Sequence, residues 1–211
     1  MPGVTSTDTP KGFVEMPRTR RHLAPAGYLE MIEAVRELED RISEGAPPEE
    51  LIAEVRAGVE ALSARLAEHT VPEMGRIAGS LWSVPGRGQT LVPVVHIDEV
   101  TAEPLPAVRA HVTFRPHHLG GNGAVHGGII PLVFDDVMGM CSHIGGRSIA
   151  RTAYLRTDYR AIAPLGKELQ IRAAFEREEG RKRFLVGTLL DGDTVCAEIT
   201  ALFVQLKPGQ P

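Results

Sequence analysis

Cysteine is scarce: there are two in 211 residues, Cys141 and Cys196. Two thiols cannot frame a disulfide-stapled scaffold, and both stand in apolar surroundings, so they are expected as buried free thiols. Long apolar runs are missing too. None approaches the roughly 20 residues needed to cross a bilayer. The opening MPGVTSTDTPKGFVEMPRTRRH lacks the apolar core of a secretion signal. It reads as a disordered lead-in over 1–26, and a cytoplasmic location is the expectation. Excess positive charge is absent: 23 Lys and Arg against 27 Asp and Glu give a net charge of −4. A nucleic-acid binder would be basic, so that class is disfavoured. The RTRRH cluster then reads as a solvated charge run. There is no Gly-Lys-Ser/Thr triplet, which excludes a P-loop. No internal repeat or low-complexity block stands out.

What is present divides into two grammars. Hydrophobic residues make up 43% of the chain, enough for a sizeable core. In 27–69, Leu29, Ile32, Val35, Leu38 and Ile42 recur at helical steps, and Leu51, Ile52, Val55, Val59, Leu62 and Leu66 do so again. Gly45, Pro47 and Pro48 break the two runs. The pattern predicts a helical hairpin with one apolar stripe per helix, each needing a surface to pack on. Residues 70–90 are rich in Gly and Pro and read as a linker. From 91 to 207 the grammar is that of strands, near 91–100, 107–114, 148–162, 167–178, 181–191 and 194–206. One helix near 126–143 interrupts them. Asp191-Gly192 and Glu179-Gly180 between apolar runs mark hairpins, so the later strands are expected as antiparallel neighbours. One long helix against about six mostly antiparallel strands is an α+β layer.

The helix opens on GGNGAVHGGIIPLVFDD, residues 120–136. Around its wheel Ile129, Ile130, Val133, Phe134, Val137, Met138 and Cys141 share one half. Pro131, Asp135, Gly139 and Ser142 share the other, while Asp136 lies at the margin. A solvent face usually carries Lys, Glu, Gln or Arg, and this one has none. It reads as a surface on which something packs closely, with a single acid in it. The glycine turn admits three readings. A dinucleotide fingerprint fails because His126 stands where the last glycine belongs and the later strands are hairpin-linked. A metal site would draw on His117, His118, His126, Asp135, Asp136 and His143, but no H-x-x-x-H pair occurs on the helix, and His117-His118 read as a solvated turn. The third reading is an oxyanion site. Backbone N–H groups at a helix N-terminus lack partners, and Gly127 and Gly128 leave room for a carbonyl to approach. An acid two to three turns along could activate water or attack directly.

The run V-H-G-G-I-I-P-L-V-F-D, with the acid nine residues after the histidine, resembles the hotdog-fold acyl-CoA thioesterases of the PaaI/THEM4-like group. The strand RTAYLRTDYRAIAPLG adds Thr152, Tyr159 and Pro164 to the pattern. The resemblance covers about 82–206. It implies a hotdog fold, a long helix wrapped by an antiparallel sheet, preceded here by the helical hairpin. It also implies a homo-oligomer, dimer or dimer of dimers, in which two sheets join and the sites lie at the interface. Asp135 would be general base or nucleophile, and the Gly127 N–H would polarise the thioester. Thr152, from the partner subunit, would position water or the acid. His126 would cap the helix or orient the thioester. Asn122, Gly128, Asp136 and Arg151 are the expected substrate contacts. The other cations offered to the polyanionic CoA are Arg147, Arg156, Arg160 and Lys167. Some members carry Asn or Gln six residues before the histidine; Gly120 stands there, and Asn122, four before, either replaces that side chain or suits the turn.

The expected activity is hydrolysis of an acyl-CoA, a reaction of lipid metabolism, with no cofactor and no metal. The alternatives are a hotdog module that binds acyl-CoA without turnover, a hydratase, and an assembly role for the hairpin. A hydratase wants an acid and a histidine close together on the helix, whereas Asp135 and His143 are eight apart.

Overall fold

A computed structural model describes residues 24–82 and 84–210. Most of the lead-in, RTRRH included, therefore lies outside the described residues. Two helices come first, α1 (Tyr28–Glu44) and α2 (Glu49–Ala67). Then follow β1 (Val95–Thr101), β2 (Ala107–Thr113), a small hairpin of β3 (Leu119–Gly121) and β4 (Ala124–Val125), the helix α3 (Ile129–Cys141), and β5 (Ala150–Tyr159), β6 (Glu168–Glu179), β7 (Lys182–Asp191) and β8 (Thr194–Gln205). Six strands form one antiparallel sheet in the order β1-β2-β6-β7-β8-β5. The expected α+β layer is present, with β5 and β1 at the sheet's edges.

The core lies between α3 and the sheet. Ile130, Val133, Phe134, Val137, Met138 and Cys141 are buried on α3. They meet Val108, Val112, Leu169, Ile171, Leu185, Leu189, Ile199 and Phe203 of the strands in one cluster. Burial of each large apolar side chain contributes roughly 1.5–3 kcal/mol, so this contact dominates the domain. Both cysteines are buried and unpaired, and burial pushes the Cys141 thiol up to about 12. Gly187 of β7 permits the closest approach. A Cβ there would sit 2.7 Å from Met138 Cε and Phe134 Cε1 and 2.9 Å from the Arg172 carbonyl oxygen. Two polar ties close the far end of α3. The buried Arg183 donates to the Ser142 and Ser148 carbonyls at 2.9 and 2.7 Å. His143 Nδ1 lies 2.7 Å from the Gly139 carbonyl oxygen, and the ring accepts the Ala150 N–H at Nε2, 3.3 Å.

The expectation for His117-His118 is corrected. They lie in the short 3-10 turn Pro116–His118, but it is not solvated: His118 is buried. The reason is α1. Arg115 reaches both Glu33 and Asp40, and Asp40 also meets His117 Nδ1 at 2.5 Å. His118 accepts the Arg115 N–H at Nδ1, 3.0 Å, and burial pushes its pKa down to about 4. Charged groups survive burial when so paired. α2 differs. None of its residues is buried, and Leu51, Ile52, Val59, Leu62 and Leu66 are exposed.

The tight fit at Gly187 makes a stability prediction. Gly187→Ala forces α3 away from β7 and is expected to lower unfolding free energy by about 1–3 kcal/mol, measured by denaturant titration. An unchanged midpoint would show that α3 is not seated on the sheet as described.

Candidate active site

The turn before α3 is built by backbone. Gly121, Asn122 and Gly123 all have positive φ, 137°, 51° and 74°, which reverses the chain between β3 and β4. Asn122 is thus a turn residue. Gly120 must be glycine for another reason: a Cβ there would lie 2.7 Å from His126 Cα, against backbone. No Asn or Gln side chain fits at that position without moving the turn. The β4 end is held by the Val125 N–H on the Ala163 carbonyl, 2.9 Å, and by the His126 N–H on the His118 carbonyl, 2.8 Å.

His126 faces back onto the turn. The Gly128 N–H donates to His126 Nδ1 at 3.0 Å, so the ring ties down one of the amides at the start of α3 and carries its proton on Nε2. The Gly127 carbonyl is taken by the Tyr159 hydroxyl of β5, 2.6 Å. Among the described residues the Gly127 N–H has no acceptor. Tyr159 is the part the sequence pattern marked without a role. Gly127 also packs against this side chain: a Cβ there would stand 3.4 Å from the Tyr159 hydroxyl, an ordinary contact.

Asp135 is exposed on the face of α3 turned from the core. Its Oδ1 accepts the Thr152 hydroxyl at 2.7 Å. Within the chain, then, Thr152 reaches the acid of its own α3. Register explains it. Thr152 pairs with Phe203, whose side chain is buried in the core, so Thr152 faces α3. The ladder shifts by one residue between Thr152 and Tyr154, a bulge of the kind that re-aims side chains beside active sites.

Asp136 points elsewhere. It pairs with Arg87, a residue the sequence reading passed over in the Gly- and Pro-rich stretch 70–90. Arg87 stands over the ring of Trp82, 3.9 Å to the centroid. Both side chains of the ion pair are largely covered, 17% and 15% exposed. Burial raises the Asp136 pKa, with Arg87 opposing, and burial lowers that of Arg87, with both aspartates opposing. The only forward signal for Arg87 was a cation amid Gly-x-Gly, which carries no direction in space.

Most of the candidate cations already have acidic partners. Arg147 pairs with Glu178, Arg156 with Asp158, Arg160 with Glu198 and Lys167 with Asp191. Among the described residues Arg151 has no carboxylate partner and stays exposed on β5. No group of three or more His, Cys, Asp or Glu among them could hold a metal ion.

A helix wrapped by a six-stranded antiparallel sheet, with a glycine turn at its head, defines the hotdog class, and the comparisons agree. The family model described as Thioesterase superfamily matches residues 122–200. An acyl-coenzyme A thioesterase THEM4 from Rattus norvegicus is 37% identical over 97 residues, 45% of this chain and 41% of the relative. Its Bos taurus counterpart is 33% identical over 95 residues, 44% and 38% of the two chains. The matched part of this chain thus spans less than half the length of these curated relatives. A crystal structure of a thioesterase superfamily protein superposes with a TM-score of 0.72 at 26% identity, over 86% of this chain and 97% of that one. A Streptococcus mutans protein solved with acetyl CoA bound superposes at 0.50 and 17% identity, over 55% and 90%. The chain has the hotdog fold, and its resemblance to the PaaI/THEM4-like thioesterases holds.

The Tyr159 contact can be tested alone. Tyr159→Phe is expected to release the Gly127 carbonyl, to shift the Gly127 and Gly128 amide resonances, and to cost about 1 kcal/mol of stability. Unmoved resonances would remove Tyr159 from the turn.

Proposed function

We propose that the chain is an acyl-CoA thioesterase, hydrolysing the thioester of an acyl-CoA to free acid and CoA. The observation that carries the reading is the Thr152–Asp135 hydrogen bond, 2.7 Å. It gives a fixed orientation to the one carboxylate on a helix face otherwise made of small residues. A carboxylate so held needs a reason, and an acceptor-only group beside an amide-lined turn suits acyl transfer to water.

In the proposed reaction the Gly127 N–H, aided by the positive end of α3, takes the thioester carbonyl oxygen as it becomes an oxyanion. Asp135 either removes a proton from the attacking water or attacks the carbonyl carbon itself, the acyl carboxylate anhydride then being hydrolysed. In the first course the C–S bond breaks and the proton taken from water passes to the departing sulfur, so CoA leaves as its thiol; in the second CoA leaves as a thiolate, and the water that opens the anhydride supplies its proton. Thr152 holds the acid's rotamer. His126 keeps the turn in shape through Gly128 and so acts behind the substrate. Arg151, exposed and without an acid partner, is the cation offered to the CoA phosphates. Gly128 and Asn122 shape the mouth, and Asp136 borders it. No step calls for a metal or cofactor.

The reading includes a homodimer with the sites at its interface. β5 carries Thr152 and Tyr159 and is an edge of the sheet. An edge strand invites pairing unless something covers it, and antiparallel pairing of two β5 strands would join the sheets beside both sites. Among the described residues no helix is long and apolar enough to cross a membrane, and the proposal takes the substrate from the aqueous phase.

Free-thiol release from short-, medium-, long-chain and aromatic acyl-CoAs tests it. Turnover of one class is expected, with Asp135→Asn slower by about 10²-fold or more while binding is kept. Binding without turnover of any of them would make the chain an acyl-CoA-binding module.

A further inference from the structure

Arg87 is placed by a costly piece of backbone. It has φ 52°, directly after Gly86 at φ 70°, in the turn Pro85–Gly88. Left-handed conformation is unfavourable for an arginine and persists only where the surroundings enforce it. Here α1 enforces it. The Tyr28 hydroxyl donates to the Gly88 carbonyl at 3.1 Å, and Arg36 donates to the Gln89 carbonyl. Gly86 and Gly88 are buried under these contacts. A Cβ on Gly86 would meet the Arg36 guanidinium at 2.5 Å and Val94 Cγ2 at 3.3 Å, so the turn packs closely under the helix.

The result is a guanidinium delivered sideways to α3. It rests on Trp82, pairs with Asp136, and lies close enough to Asp135 and His143 to act on both electrostatically. Asp135 has Thr152 as its hydrogen-bond partner and Asp136 has Arg87 as its ion-pair partner, so the two neighbouring acids are held by different elements. A core salt bridge serving stability alone would not need a strained turn to present it, nor a position one residue from the candidate acid.

We infer that Arg87 is a positioning residue of the active site: through Asp136 it fixes the rotation of α3 that presents Asp135, and it couples α1 to that site. The inference rests on the thioesterase reading. In it the N-terminal helix is a working part of the enzyme: α1 holds the turn, the turn holds Arg87, and Arg87 holds the acid-bearing face of α3.

The test compares Arg87→Met, Arg87→Lys, Asp136→Asn and the double variant Arg87→Met/Asp136→Asn with the unmodified chain, reading kcat, KM and thermal midpoint. Arg87→Met is expected to lower kcat about tenfold or more with KM changed by less than about threefold, as misplacement of a reacting group does. Arg87→Lys should restore part of the loss. The double variant should be no slower than Arg87→Met alone, because the two residues act as one unit. If Arg87→Met does not fold, Asp136→Asn alone breaks the same pair at constant size and should show the same kcat loss. Unchanged kcat in the folded variants, with only a lower midpoint, overturns the inference and leaves the thioesterase reading standing. So do fully additive losses. An unmodified chain that turns over no acyl-CoA overturns both.

Discussion

The rest of the molecule depends on one constraint: α3 is apolar round most of its circumference and is buried in the grip of a single sheet. Its close seat on β7 at Gly187 and its end tied by Arg183 and His143 hold it against the sheet, and the Arg87–Asp136 pair limits its roll. Whatever stands on its remaining face is therefore presented in a fixed direction. That face is narrow and built of small residues, and it carries Asp135. The hydrogen bond from Thr152 at 2.7 Å then removes the last torsional freedom of the acid. A stability feature, helix burial, thus becomes the source of site geometry.

The second layer is polar and comes from outside the sheet. α1 is held to the domain by charges more than by apolar contact. Arg115 bridges Glu33 and Asp40, and Arg36 and Tyr28 pin the turn at 85–89. Its apolar residues Val35, Leu38 and Ile42 remain exposed, as do those of α2. The helix is specified by paired, partly covered charges, with Arg36 and Asp40 buried, and this suits an element that must deliver Arg87 to one place. An apolar face would have allowed sliding.

Much of the domain could be read from residues. The strands announced themselves as apolar, β-branched runs and by Asp-Gly and Glu-Gly turns, and α3 by an apolar half-wheel headed by glycines. Asp135 stood out because its helix face lacked the usual long polar residues. Other features were illegible for physical reasons. β3 and β4 are mostly glycine and alanine and carry no alternation. His117-His118 looked solvated because Glu33 and Asp40 lie more than seventy residues away in sequence. Arg87 was hidden because a left-handed arginine leaves no mark in composition. The contact of Thr152 with Asp135 within one chain could not be known from spacing at all; it follows from the pairing of Thr152 with Phe203 and the bulge that follows.

That last point is the most exposed part of the account, which holds that the acid and its threonine belong to one chain. Mixed assemblies of Asp135→Asn chains with Thr152→Val chains test it directly. If acid and threonine act within a chain, every site in the hybrid carries one lesion, and thiol release stays at the level of the two parents. If they act across chains, one site of each hybrid dimer carries both lesions and the other carries none. Recovery of about half the unmodified activity would contradict the arrangement described here.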